Sequence, residues 1–148
     1  MNPSLSPKRE EYPDQPRVAV GAIVFKDRKV LLVRRGKPPA RDLWAIPGGS
    51  VEVSETLQRA AEREIYEETG VTIQALEPIY TFDCIERDEF GCARFHYVIV
   101  DLTADYVGGE PRPGDDALEA RWVSAQELAS LRVSLKTLQL LKERFDFG

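Results

Sequence analysis

Three glutamates, Glu64, Glu67 and Glu68, stand at i, i+3 and i+4 within a stretch of helical pattern. At about 3.6 residues per turn they fall within roughly 100° of arc, so three carboxylates share one side of the helix. Like charges held that close repel, and such a cluster is commonly only a solvated acidic face. Here, however, Glu64 and Glu68 lie beside the apolar stripe of Leu57, Ala61 and Ile65, while Arg59, Glu62 and Tyr66 take the far side. Part of the acidic group therefore borders the core, and a divalent cation would relieve its repulsion. Donors that are all oxygen select a hard ion, Mg²⁺ or Mn²⁺, and with His96 the only histidine a His-based zinc site has no basis.

The element that must carry these groups reads as a helix over 54–69. Ser54 is its N-cap, Glu55 sits in its first turn and Gly70 is the residue that ends it. Before it, 17–25 and 29–35 are rich in β-branched and apolar residues and form a hairpin across Lys26, Asp27 and Arg28. A loop over 36–41 and a short apolar stretch over 43–46 then deliver the chain to Pro47, Gly48 and Gly49. After the helix, 79–87 and 93–102 read as strands joined by a turn at 88–91, followed by a Gly/Pro loop over 107–114 and a short strand over 121–123. Helices over 125–131 and 134–145 close the chain, the second with Leu135, Leu138, Leu141 and Phe145 at helical spacing. The sheet is mixed.

With 148 residues, 43% of them hydrophobic and 30% charged, the chain suits one globular domain, expected over 17–148 behind a flexible tail over 1–16. The tail lacks the apolar segment of a secretory signal, and no apolar run approaches the roughly 20 residues of a membrane span. Two cysteines, Cys84 and Cys92, form neither a disulfide framework nor a redox pair, and a cytoplasmic protein with reduced thiols is the expectation. The net charge of −5 argues against binding polymeric nucleic acid, because that affinity comes from Lys and Arg neutralising phosphates. A local cluster of Arg34, Arg35, Lys37 and Arg41 is still suited to a small phosphorylated substrate.

Gly49, five intervening residues, Glu55, seven more, then Arg63-Glu64-Ile65-Tyr66-Glu67-Glu68-Thr69-Gly70-Val71 reproduces without substitution a pattern that resembles the box of the Nudix hydrolases. That resemblance runs from about Arg17 to Leu141. It implies an α/β (α+β) fold, an α/β/α sandwich with a mixed central sheet, a catalytic loop-helix-loop and a C-terminal helix. It further implies that Glu64, Glu67 and Glu68 hold divalent metal together with a backbone carbonyl of Gly48 or Gly49. The substrates it implies are nucleoside diphosphates linked to another group and cleaved at the pyrophosphate, by a monomer or homodimer.

Other roles follow from chemistry and resemblance together. Glu64, or another nearby carboxylate, completes deprotonation of a water; Arg63 orients Glu64 or braces Glu55 and Glu67, unless it is only a surface partner of Glu67. An acid from a later loop is expected to join the site, with Asp116 the first choice and Asp115 or Glu119 in reserve. Arg34 or Arg35 would contact phosphate. Trp44, Tyr80, Phe82, Phe95 and Tyr97 offer faces for a base, although their alternation on strands also suits a core. The overall resemblance favours ADP-ribose. Glu86 and Arg87 stand where many ADP-ribose-specific members carry a proline, so nucleoside triphosphate pyrophosphohydrolysis, including that of oxidised nucleotides, is the alternative, and a non-catalytic nucleotide sensor is a third reading.

Overall fold

Strand β1 (Arg17–Lys26) alternates its side chains between two cores, and the rest of the fold is arranged around that strand. It turns into β2 (Lys29–Arg35) through Asp27 and Arg28, both at positive φ (51° and 62°), the backbone of a tight two-residue hairpin turn. The computed structural model describes residues 10–148, so residues 1–9 of the expected tail lie outside the described residues. From the rest of that tail, Tyr12 donates its backbone N–H to the Arg94 carbonyl and Glu11 pairs with the Arg94 guanidinium.

On one edge β1 pairs antiparallel with β4 (Gly48–Ser50), and on the other it runs parallel to β6 (Ala93–Gly108), which in turn pairs antiparallel with β5 (Thr72–Arg87). The last residues of β1 lead into a second group, in which β2 pairs with β3 (Trp44–Ala45) and β7 (Ala117–Ser124). The sheet is mixed, as expected. Val20, Ala22 and Val24 point to one face, where Ala60, Ala61 and Ile65 of helix α1 (Leu57–Thr69) pack with Val71, Ile73 and Leu102. Ile23 points to the other, against Leu128 of α2 (Ala125–Leu128) and Leu140 and Leu141 of α3 (Leu135–Phe145). Helices thus cover both faces. Among the described residues no helix is long and apolar enough to cross a membrane.

Several boundaries differ from those read in the sequence. The N-cap of α1 is Thr56, whose hydroxyl accepts from the Arg59 amide at 3.1 Å; Ser54 has φ +74°, a conformation that cannot open a helix. Glu55 therefore precedes the helix instead of sitting in its first turn. Strands β5 and β6 are each longer than read, because Thr72–Ala75 pair with Ala104–Gly108 beyond an irregular register at Pro78, where the missing N–H interrupts the ladder and hides the strand. β7 is also longer, and α2 ends at Leu128. In α3 the buried pair is Leu140 and Leu141, while Leu135, the first helical residue, is 76% exposed. The expected end of α1 stands: Gly70 has φ +73° and its N–H reaches the Tyr66 carbonyl.

Ile65 is fully buried beneath the acidic side of α1, so Ile65→Ala should lower stability by about 2–5 kcal/mol in urea unfolding, and Ile65→Val by about 1 kcal/mol. A loss for Ile65→Ala below that of Ile65→Val would show that this stripe does not anchor the helix.

Candidate functional site

The acidic residues of α1 are held by one arginine. Arg63 Nε and Nη2 donate to the two Glu55 oxygens at 2.6 and 2.8 Å, a bidentate pair. Its Nη1 reaches Glu64 at 2.8 Å and Glu67 at 3.2 Å, and Nη2 also donates to the Ser50 carbonyl at 3.1 Å. The Arg63 hydrogen bonds hold the Glu55 carboxyl down at about 2, and chiefly the same pair raises the guanidinium pKa further. Glu55 also accepts from the Glu52 amide, so the loop before the helix is tied to the helix through Glu55. Arg63 thus braces Glu55, Glu64 and Glu67 together.

Two glycines permit this closeness. A Cβ on Gly49 would stand 2.2 Å from Glu64 Oε2, and one on Gly48 would stand 1.9 Å from the Val20 carbonyl oxygen. A side chain at Gly48 would strike the β1 backbone, and one at Gly49 would push the Glu64 carboxylate out of its place. Gly48 N–H donates to Glu68 Oε1 at 3.2 Å, yet burial still pushes the Glu68 carboxyl up to about 7. Burial also raises Glu64, against the pull of Arg63.

The loop after β6 brings in one more acid. Amides of Arg112 and Gly114 donate to the Thr69 and Glu68 carbonyls at 2.8 Å each, satisfying acceptors that the helix end leaves free. The approach is so tight that a Cβ on Gly114 would stand 2.1 Å from the Glu67 carbonyl oxygen. The next residue is Asp115, and ligand oxygens of Glu64, Glu67 and Asp115 lie within 4.8 Å of one another. Asp116, the first choice from sequence, lines the cleft beside Asp115 and pairs with Lys37 at 2.9 Å without joining that cluster, and Glu119 pairs with Arg34 at 2.7 Å. Three carboxylates at that separation form a hard, all-oxygen donor set suited to a divalent cation. Glu68 and the Gly48–Gly49 backbone flank the cluster.

Beside the cluster opens a cleft of about 680 Å³, within the usual size of small-molecule sites. Glu64, Glu68 and Asp115 line it, Arg35 contributes positive charge, Lys37 lines it paired with Glu10 and Asp116, and Phe82 and Tyr97 contribute rings. Arg34 does not line it. Adjacent strand residues face opposite ways, and Arg34 is bound to Asp42 and Glu119 outside the cleft. Trp44 departs from the stacking role considered for it: it is 4% exposed in the second core, beneath the Arg121 guanidinium. Phe95 is likewise buried, and Tyr80 packs against the second core. Sequence reasoning missed Asp101, a buried acid of β6 that lines the cleft and whose pKa burial raises to about 7. Its signal was a lone charge in an otherwise apolar strand run.

A family model described as NUDIX domain matches residues 15–143. The chain is similar to an ADP-ribose pyrophosphatase of Methanocaldococcus jannaschii, 38% identical over 116 residues that cover 78% of this chain and 66% of that protein. It is also similar to the NAD-capped RNA hydrolase NudC of Deinococcus radiodurans, 35% identical with 78% and 41% covered. The chain thus spans less than two thirds of the length of both relatives. Among solved structures, a MutT NUDIX hydrolase from Burkholderia pseudomallei matches with a TM-score of 0.74 and 28% identity, over 88% of this chain and 99% of that one.

The raised carboxyl of Glu68 has a measurable consequence. Its folded pKa of about 7 exceeds the ordinary 4.5, so its contribution to stability is complete below about 4.5 and is lost as pH rises through 7. Metal-free protein should therefore lose stability between pH 5 and 8, by at most about 1.4 kcal/mol per pH unit for this group. Glu68→Gln should flatten the dependence without abolishing it, because Asp101 is shifted in the same direction. Urea unfolding in chelator checks this, and an unchanged slope in Glu68→Gln would refute it.

Proposed function

The chain belongs to the Nudix hydrolase family, and on that premise we propose that it hydrolyses the pyrophosphate bond of a nucleoside diphosphate derivative, with ADP-ribose the favoured substrate. The observation that carries this reading is the juxtaposition of Glu64, Glu67 and Asp115 beside a nucleotide-sized cleft, with Arg63 bracing the two glutamates. The similarity to an ADP-ribose pyrophosphatase supports the choice of substrate.

Glu64, Glu67 and Asp115 would hold Mg²⁺ or Mn²⁺, with Glu68 and the backbone of Gly48 or Gly49 completing the surroundings. When bound, such an ion neutralises the diphosphate and makes water more acidic. The chain's own groups do the rest. Glu64, a half-buried carboxylate with a raised pKa, accepts a proton from the attacking water, and Arg63 fixes its position. Arg35 offsets the negative charge of the phosphates, joined by Lys37 where phosphate replaces Glu10 or Asp116 as its partner, and the Phe82 and Tyr97 rings receive the organic part. The domain of this activity is 17–148, acting as a monomer or homodimer. The two cysteines are free, which suits a reducing cytoplasm.

Incubation with ADP-ribose, NADH and nucleoside triphosphates in Mg²⁺ or Mn²⁺ should release AMP from ADP-ribose faster than monophosphate from the others. Faster release of pyrophosphate from triphosphates would replace the substrate assignment, and no turnover by folded, metal-bound protein would indicate a sensor. Variants test the site: Glu67→Gln and Asp115→Asn should each lower kcat by about 100-fold or more, whereas Asp116→Asn should stay within about threefold of the parent. Equal losses for Asp115→Asn and Asp116→Asn would remove Asp115 from its special place.

A further inference from the structure

We propose that Asp101 determines what the cleft accepts: its carboxylate takes a hydrogen bond from an N–H or O–H group on the non-phosphate part of the nucleotide. The inference rests on the nucleotide reading above and adds to it a recognition residue outside the acidic cluster.

The sheet register places Asp101. Tyr97, Ile99 and Asp101 of β6 alternate onto one face and stand opposite Arg17, Ala19 and Gly21 of β1. On the other side, Tyr97 and Ile99 stand opposite Cys84 and Phe82 of β5. All of these except Asp101 and Arg17 are apolar, small or aromatic, so they form a flat, largely uncharged floor, and all line the cleft. Gly21 also stands opposite Gly48, the residue whose N–H holds Glu68. The backbone of Asp101 is therefore two strands from Gly48 in one row, about 10 Å at about 4.8 Å per strand, and its carboxylate leans across β1 toward Gly48. An acid at that point of the floor is placed to meet the sugar or base attached to a diphosphate held at the acidic cluster.

The space for the carboxylate is built by a glycine. A Cβ on Gly21 would stand 2.3 Å from Asp101 Oδ1, so only glycine there lets the acid lie across β1. Glycine in a strand interior is unfavourable in itself, and here it marks a close approach. Asp101 is 4% exposed, and among the described residues no group donates a hydrogen bond to its carboxylate and no cation pairs with it. A buried carboxylate without a partner is costly and is rarely kept. Its side chain lines the cleft and its oxygens keep contact with that space, so a ligand entering the cleft can supply the donor. The metal cluster does not need it, since Glu64, Glu67 and Asp115 already converge.

Two donors on a nucleotide fit this chemistry, the ribose hydroxyl pair and an amino group on the base. The test is calorimetric titration, without metal, of AMP, 2′,3′-dideoxyadenosine monophosphate and purine riboside monophosphate, which lacks the amino group, into the wild type and Asp101→Ala. The wild type should bind AMP about tenfold or more tightly than the variant, the loss expected for one hydrogen bond to a charged group. Wild type should lose a similar factor with one of the two depleted analogues, and Asp101→Ala should bind that analogue and AMP alike. Thermal unfolding separates recognition from a structural role: Asp101→Ala and Asp101→Asn should be at least as stable as the wild type, because an unpartnered buried acid is removed. Equal AMP affinity in wild type and folded Asp101→Ala overturns the proposal, as does the absence of AMP binding to the wild type. If ADP-ribose is hydrolysed while Asp101→Ala binds AMP normally, only this inference fails. If binding depends on Asp101 but nothing is hydrolysed, only the hydrolase reading fails.

Discussion

The guanidinium of Arg63 is the constraint from which the acidic site follows. Glutamates one helical turn apart would spread away from one another if left alone. Arg63 donates to Glu55, Glu64 and Glu67 and to the Ser50 carbonyl at once, so β4, the segment before α1 and the later turns of the helix are tied together. An isolated exposed ion pair would contribute little, but this fork is three-quarters buried and spends nearly all its donors. Its geometry leaves Glu64 and Glu67 each with an oxygen for a cation.

Around that fork, glycine supplies room where other residues would supply bulk. Gly49 lets Glu64 lie against the β4 edge, Gly114 lets the loop after β6 cap α1, and Gly21 lets Asp101 cross β1. Gly21 and Gly49 line the same cleft, and Gly114 precedes Asp115, which lines it too. Together they put four acids, two of them pushed up to about 7 by burial, within a space that would otherwise be filled by side chains. The cost is local, and it is supported by the apolar packing of Ile65, Val20 and Leu102 on the other face of the sheet.

Parity decides which neighbours take part. Arg35 lines the cleft and Arg34 does not, because consecutive strand residues face opposite sides. The same alternation sends Val20 and Ala22 into one core and Ile23 into the other. In the loop, Asp115 turns toward Glu64 and Glu67 while Asp116 turns to Lys37.

By itself the sequence determined the helix that carries Glu64, Glu67 and Glu68, its Gly70 terminus and the β1–β2 hairpin, because each depends on contacts within a few residues. Tertiary structure alone decided that Thr56 is the cap, that Asp115 and not Asp116 approaches the glutamates, that Trp44 is buried and that Asp101 lies across Gly21. Those outcomes depend on strand register and on which chain segment meets the end of α1. Such pairings join residues far apart along the chain, where local pattern carries no information about which of two adjacent side chains will point inward.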